Sequence, residues 1–310
     1  RELLALPIFS FVASLLALGV FMALIFLVDY ESSTGQLPSA ADVPDANSSA
    51  SRGLHIQILP YVEQTNVANI LKEYDKVSSG GGLPESLKNL LLDLYWCPSR
   101  PRYEDTGMQE VGTPTATYYG VMGAARNGDC VRGKKYESSG PGSLELSHCG
   151  AVAMDGVVTP FKHVQMKDIT DGTSQTMIVG ERIYELRSYF NGGRLIEGGT
   201  LETATKICVD AAKNMRWGIT TPEETGWYVR SNDAPPGAPK TVTFNDFFWG
   251  SDHPGVAMFA FADGSVRTVD NDTELYVLKN LATRNGGEQQ EGDVFDDGSC
   301  YGASGGGPQL

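Results

Sequence analysis

The chain has 310 residues, of which 41% are hydrophobic and 20% charged, and a formal net charge of −14. That acidity argues against a nucleic-acid partner, because phosphate binding needs a basic surface, and against docking on anionic lipid by charge. About 280 residues follow the first thirty, enough for a core of real size, and 36 glycines point to many turns.

Leu3 to Val28 carries no charged residue. Twenty-six residues reach roughly 39 Å as a helix, more than the ~20 residues a bilayer core requires. The stretch is also too long for the apolar part of a cleaved signal peptide, and no A-x-A site follows it. Arg1 before it and Asp29 and Glu31 after it favour a body outside the membrane. Ser10, Ala13, Ser14, Ala17 and Gly19 are small enough for close helix–helix approach, and Pro7 falls where it would kink the first turns after Leu3. Residues 1–31 are therefore expected to be an apolar membrane-spanning or filament-core helix, with Leu3, Pro7, Ser10, Ser14, Ala17 and Gly19 as its assembly positions.

Residues 32–53 are rich in Ser, Ala, Pro and Asp and read as a linker. The body is expected over 54–288. A helix after Pro60 is signalled by Val62, Val67, Ile70, Leu71 and Tyr74. A second, opened by Pro84, places Leu87, Leu90, Leu91 and Leu94 on one face and stops before Cys97-Pro98. From about residue 113 the pattern turns to strands, over Thr115–Val121, Val152–Val158, Thr176–Val179 and Gly226–Val229. Asp168 to Thr176 reads as an ordered polar loop.

Val256 to Ala262 and Ser265 to Val269, separated by Asp263-Gly264, give a strong hairpin signal. A last helix runs through Leu275, Leu278, Leu281 and Ala282, capped by Asp272 or Thr273 and ended by Asn285-Gly286. The tail, 289–310, is acidic and then Gly-rich.

Several segments now fall into register. They are Ile58-Leu59-Pro60-Tyr61-Val62-Glu63-Gln64, Cys97-Pro98-Ser99, Tyr118-Tyr119-Gly120-Val121, Ile169 to Thr176 with Val179-Gly180-Glu181, and Leu281-Ala282-Thr283-Arg284. His253 followed nine residues later by Asp263-Gly264 completes the set. Over most of residues 54–288 the chain resembles planctomycete-type prepilin-like proteins, which carry an H-x9-D-G element and are similar to type IV pilins and pseudopilins. The resemblance implies an α+β, pilin-like fold: a long apolar N-terminal helix, then a mainly antiparallel β body with short helices. It implies no catalytic activity. The N-terminus departs from it, with Arg1-Glu2-Leu3-Leu4-Ala5 where such proteins begin Phe-Thr-Leu-x-Glu.

The chemistry-bearing residues fit a non-enzyme. His55, His148, His163 and His253 form no H-E-x-x-H, and neither G-x-S-x-G nor a P-loop is present. His253 reads as a histidine that hydrogen-bonds its loop, with ligand binding or pH sensing as the alternatives; Asp263 reads as a turn residue. Asp293, Asp296 and Asp297, near Glu291 and Gly298, are candidate Ca²⁺ ligands, with Asp168 and Asp171 as a second candidate group. The preferred disulfide joins Cys130 to Cys149. Phe244, Phe247, Phe248 and Trp249 are expected in the core or a subunit contact.

The functional expectation is a structural subunit of an extracellular filament, a pilus- or pseudopilus-like homopolymer that passes through the membrane before assembly. The alternative is a monomeric membrane-anchored surface domain that binds a glycan, cation or protein.

Overall fold

The computed structural model describes residues 27, 29–42, 50–77, 83–101, 114–124, 149, 152–183, 188–196, 206–219 and 244–286. Its centre is a five-stranded sheet in the order β6-β2-β3-β7-β8. The strands are β2 (Tyr118–Gly123), β3 (Met177–Glu181), β6 (Ala212–Asn214), β7 (Val256–Phe261) and β8 (Val266–Asp270). All neighbours are antiparallel except β2 and β6. A smaller antiparallel sheet, β1-β4-β5, joins β1 (Ala50–Ser51), β4 (Gly193–Ile196) and β5 (Lys206–Val209).

Both faces of β2, β3 and β7 are covered, so these strands are almost wholly apolar, whereas the edge strand β8 is partly exposed. Side chains alternate along a strand. Tyr118 and Met122 of β2 and Met258 and Ala260 of β7 join one core, with Leu54, Ile58 and Leu71 from helices α1 (Leu54–Gln57) and α2 (Thr65–Val77) and the turn after α1. Tyr119, Val121, Ala257, Phe259 and Phe261 join the other, beneath Leu278 and Ala282 of α3 (Leu275–Ala282).

The β7–β8 hairpin forms where expected, with a difference in its turn. Gly264 N–H donates to Phe261 and Phe261 N–H to Ser265 (3.0 and 2.9 Å), so the connection is a three-residue loop. Gly264, at φ +86°, takes the left-handed position that a residue with a Cβ adopts at a cost. The last helix also forms, but Glu274 rather than Asp272 or Thr273 precedes it.

The expected pilin-like α+β organisation around a long apolar helix is corrected. The described body is mostly sheet with a few short helices, the longest being α2 with 13 residues. Among the described residues no helix is long and apolar enough to cross a membrane. Leu3, Pro7, Ser10, Ser14, Ala17 and Gly19 lie outside the described residues. Of the uncharged stretch, Leu27 is described, in helical conformation and buried at the edge of the first core.

Other expectations shift as well. The described parts of the segment read as a linker, 32–42 and 50–53, pack on the body: Leu37, Ala40 and Ala41 are buried, Ala41 bridges Pro160, and Ser51 pairs with Gly193. The helix expected after Pro84 is replaced by two 3-10 turns, Glu85–Leu87 and Asp93–Tyr95. The Leu90 carbonyl, which a helix would offer to the amide of residue 94, instead accepts from the Tyr189 hydroxyl at 2.7 Å. Val152–Val158 forms no strand but a buried bend, whose Gly156 and Val158 amides donate to Met122 and Val121.

Cys149 is bonded to Cys208, not to Cys130, which lies outside the described residues together with Asp293, Asp296, Asp297 and the Gly226–Val229 stretch. The disulfide sits among Phe244, Phe247 and Phe248, which are core residues; Trp249 is buried in the core beneath α3.

Candidate functional site

Three of the segments that carried the family resemblance converge at one buried point. Cys97 opens the loop after the Asp93–Tyr95 turn, Glu181 ends β3, and His253 precedes β7. The sulfur of Cys97, a carboxylate oxygen of Glu181 and a ring nitrogen of His253 all lie within 4.8 Å of one another. Cys97 and Glu181 are 3% and 1% exposed, and the His253 side chain is 9% exposed.

The backbone fixes each member. Cys97 N–H donates to Thr117 Oγ1 at 2.6 Å. Glu181 pairs with Tyr118 across the β2–β3 ladder, and its Oε2 accepts the Met258 amide of β7 at 2.8 Å. His253 N–H donates to Ser251 Oγ at 3.1 Å. Arg100, three residues after the cysteine, forms a bidentate pair with Asp252, next to the histidine, at 3.1 and 3.2 Å. It also donates to the Ile183 carbonyl, beyond β3. The loop after Cys97 is thus tied to both other arms of the cluster.

His253 Nε2 is the shared atom. It stands 3.6 Å from Cys97 Sγ and 3.4 Å from Glu181 Oε1. Hydrogen bonding to Cys97 first, and then to Glu181, pushes the imidazole up to about 10, against the opposing effect of burial. Glu181 Oε1 has the His253 ring nitrogen as its ion-pair contact but no well-aligned donor, and the buried Tyr118 hydroxyl borders the same sulfur. Buried carboxylates are rarely left in that condition.

The remaining expected site residues have structural partners. Asp263 accepts from Ser265 N–H and Oγ at 2.9 and 2.7 Å and from Arg267 at 3.2 Å. Partial burial would raise its carboxyl, but the two Ser265 bonds and Arg267 together hold it below the usual carboxylate range. The Asp263 and Ala262 amides donate to Thr173 and Thr176, joining the hairpin turn to the ordered loop before β3. Asp168 caps its own 3-10 turn, and Asp171 accepts from Thr283 and Gly286. His55 is a core residue: Nε2 meets the Tyr118 carbonyl at 2.7 Å, with Tyr95 edge-on at 5.0 Å.

His253 therefore belongs to a cluster that the sequence reading did not assemble. It missed Cys97 and Glu181 as partners, although both stood in segments it singled out. The available signal was a carboxylate at the end of the apolar run Met177-Ile178-Val179-Gly180, since glutamate is rarely buried without a partner.

Fold and cluster together describe a disulfide-bonded, mainly antiparallel sheet domain with a buried Cys/Glu/His group. The chain belongs to the family described as "protein of unknown function (DUF1559)", which it matches over residues 26–275. No curated protein and no solved structure matches it.

Proposed function

We propose that the protein is a pilin-like structural subunit of the cell surface that assembles with copies of itself into an extracellular filament. The observation that carries this reading is the family match, which spans residues 26–275, most of the described body, and begins where the uncharged stretch Leu3–Val28 is ending. His253 with Asp263-Gly264 is, in this reading, the H-x9-D-G element of the prepilin-like proteins. The Cys149–Cys208 disulfide supports a body on the oxidising side of the membrane. The net charge of −14 supports a soluble outer wall and no nucleic-acid partner.

Self-association is supported by the uncharged composition of Leu3–Val28, apolar surface that association of copies would remove from water. A head-to-tail contact that does not close on itself propagates as a filament. A structural rather than catalytic role is supported by the burial of Cys97, Glu181 and His253. The second reading, a membrane-anchored monomer with a binding role, is favoured by one observation, the donor character of that same cluster.

Immunogold labelling of intact cells with antibody to the body tests the surface assignment. Label along filaments is expected, and label confined to the cytoplasm overturns it. Gly19→Leu should block assembly while the body stays folded; filaments unchanged by this substitution contradict packing through the Ser10, Ser14, Ala17 and Gly19 positions.

A further inference from the structure

The geometry points to a metal site: Cys97, Glu181 and His253 bind one divalent transition ion of the zinc class, which staples three separate chain segments together. The inference stands on the described body and does not depend on the surface reading.

Three alternatives for this cluster can be compared. In a catalytic cysteine relay the carboxylate holds Nδ1, leaving Nε2 to the nucleophile. Here Glu181 and Cys97 both face Nε2, at 3.4 and 3.6 Å, so the carboxylate does not hold Nδ1 as that relay requires. A plain hydrogen-bonded trio would give Glu181 Oε1 a well-aligned donor, yet its 3.4 Å contact with Nε2 lacks hydrogen-bond geometry. A metal centre requires ligand atoms that converge on one point, and this is what the three side chains do.

Two of the three separations match tetrahedral coordination, and the third, Sγ to Oε1, is below 4.8 Å. Zinc–sulfur bonds of about 2.3 Å and zinc–nitrogen or zinc–oxygen bonds of about 2.0–2.1 Å at tetrahedral angles put S and N about 3.6 Å apart and N and O about 3.3 Å apart. The observed values are 3.6 and 3.4 Å. The donor set selects the ion: one thiolate and one imidazole suit zinc and its neighbours and not calcium, which takes oxygen ligands. Glu181 Oε2, held by the Met258 amide, orients the carboxylate so that Oε1 faces the ion. The fourth position falls to water or to the Tyr118 hydroxyl, buried beside the sulfur.

Loading deprotonates the thiol and frees the imidazole nitrogen, so metal uptake releases protons to solvent. It also explains a free, buried cysteine in a chain that elsewhere forms a disulfide.

The test is cobalt titration of the intact, folded protein, followed by zinc competition. The expected result is a thiolate-to-cobalt charge-transfer band that saturates at one equivalent, disappears on adding zinc, and is absent from Cys97→Ser and His253→Gln. One equivalent of zinc should also raise the thermal midpoint of the wild type and leave both variants unmoved. No band in the wild type overturns the proposal, and so does a band that persists in Cys97→Ser. Circular dichroism establishes that each variant is folded; should Cys97→Ser unfold, His253→Gln and the wild-type stoichiometry decide.

Discussion

Cys97 and His253, 156 residues apart in sequence, meet with Sγ 3.6 Å from Nε2. The contact lies at the Glu181 end of the central strand β3. It joins the loop after residue 96 to the segment entering β7, with Glu181 of β3 between them. Neither a loop of such length nor its register is fixed by local propensity, so the cluster and its backbone ties hold these segments in place.

Glu181 supplies the first prediction. Its Oε2 is the acceptor for the buried Met258 amide of the adjacent strand. Glu181→Ala leaves that amide without a partner and should cost about 1–3 kcal/mol. Glu181→Gln keeps an acceptor there and should cost less. Urea unfolding of the two variants against wild type measures the difference, and equal losses would show that the Met258 bond contributes nothing.

Gly180 lies in β3 beneath two aromatic rings. A Cβ there would come within 2.3 Å of Phe259 and 2.8 Å of Trp249. Gly180→Ala should therefore overpack the second core and lower stability by about 1–3 kcal/mol. A thermal midpoint equal to wild type would contradict this packing.

The Cys149–Cys208 bond spans 59 residues of sequence. Constraint of a loop of that size in the unfolded chain is worth about 2–4 kcal/mol. The double variant Cys149→Ala/Cys208→Ala should lose about that much in equilibrium unfolding. A double variant as stable as wild type would place the bond elsewhere.

His55 sets a pH dependence. Burial lowers its pKa to about 4, with the Tyr118 carbonyl acting in the opposite direction. The group is neutral when folded and charges more readily when unfolded. Its contribution is therefore complete above its ordinary value of about 6.5 and is lost as pH falls from there to about 4, by roughly 3 kcal/mol. His163 has the opposite sign, because a hydrogen bond it donates to Asp42 raises its pKa, and its partial exposure makes the effect small. Urea midpoints between pH 7 and 4.5 should fall more steeply for wild type than for His55→Gln; parallel slopes would refute the assignment.

The parts of this fold legible in the sequence are those set by local chemistry. Asp263-Gly264 between two apolar runs announced the β7–β8 hairpin, and the spacing of Leu278 and Ala282 announced α3. The parts that were not legible depend on distant partners. Leu87, Leu90, Leu91 and Leu94 have helical spacing, but the Tyr189 hydroxyl takes the Leu90 carbonyl, and the segment closes in 3-10 turns. Val152–Val158 has strand composition, yet its amides bond to the end of β2 and bend it away from any ladder. Cys149 chose Cys208 because the β1-β4-β5 sheet brings β5 to it, and that sheet has no short-range signature. The Cys97–Glu181–His253 cluster is of the same kind: each residue was visible, and only the strand order β2-β3-β7 brings them together.

The most direct test of the proposed surface role is electron cryomicroscopy of native, detergent-free surface material enriched in this chain. The account predicts ordered filaments whose wall accommodates the two-sheet body described above. Detergent-dependent monomers with no filament, from cells that express the protein in quantity, would contradict assembly and leave the anchored binding domain in its place.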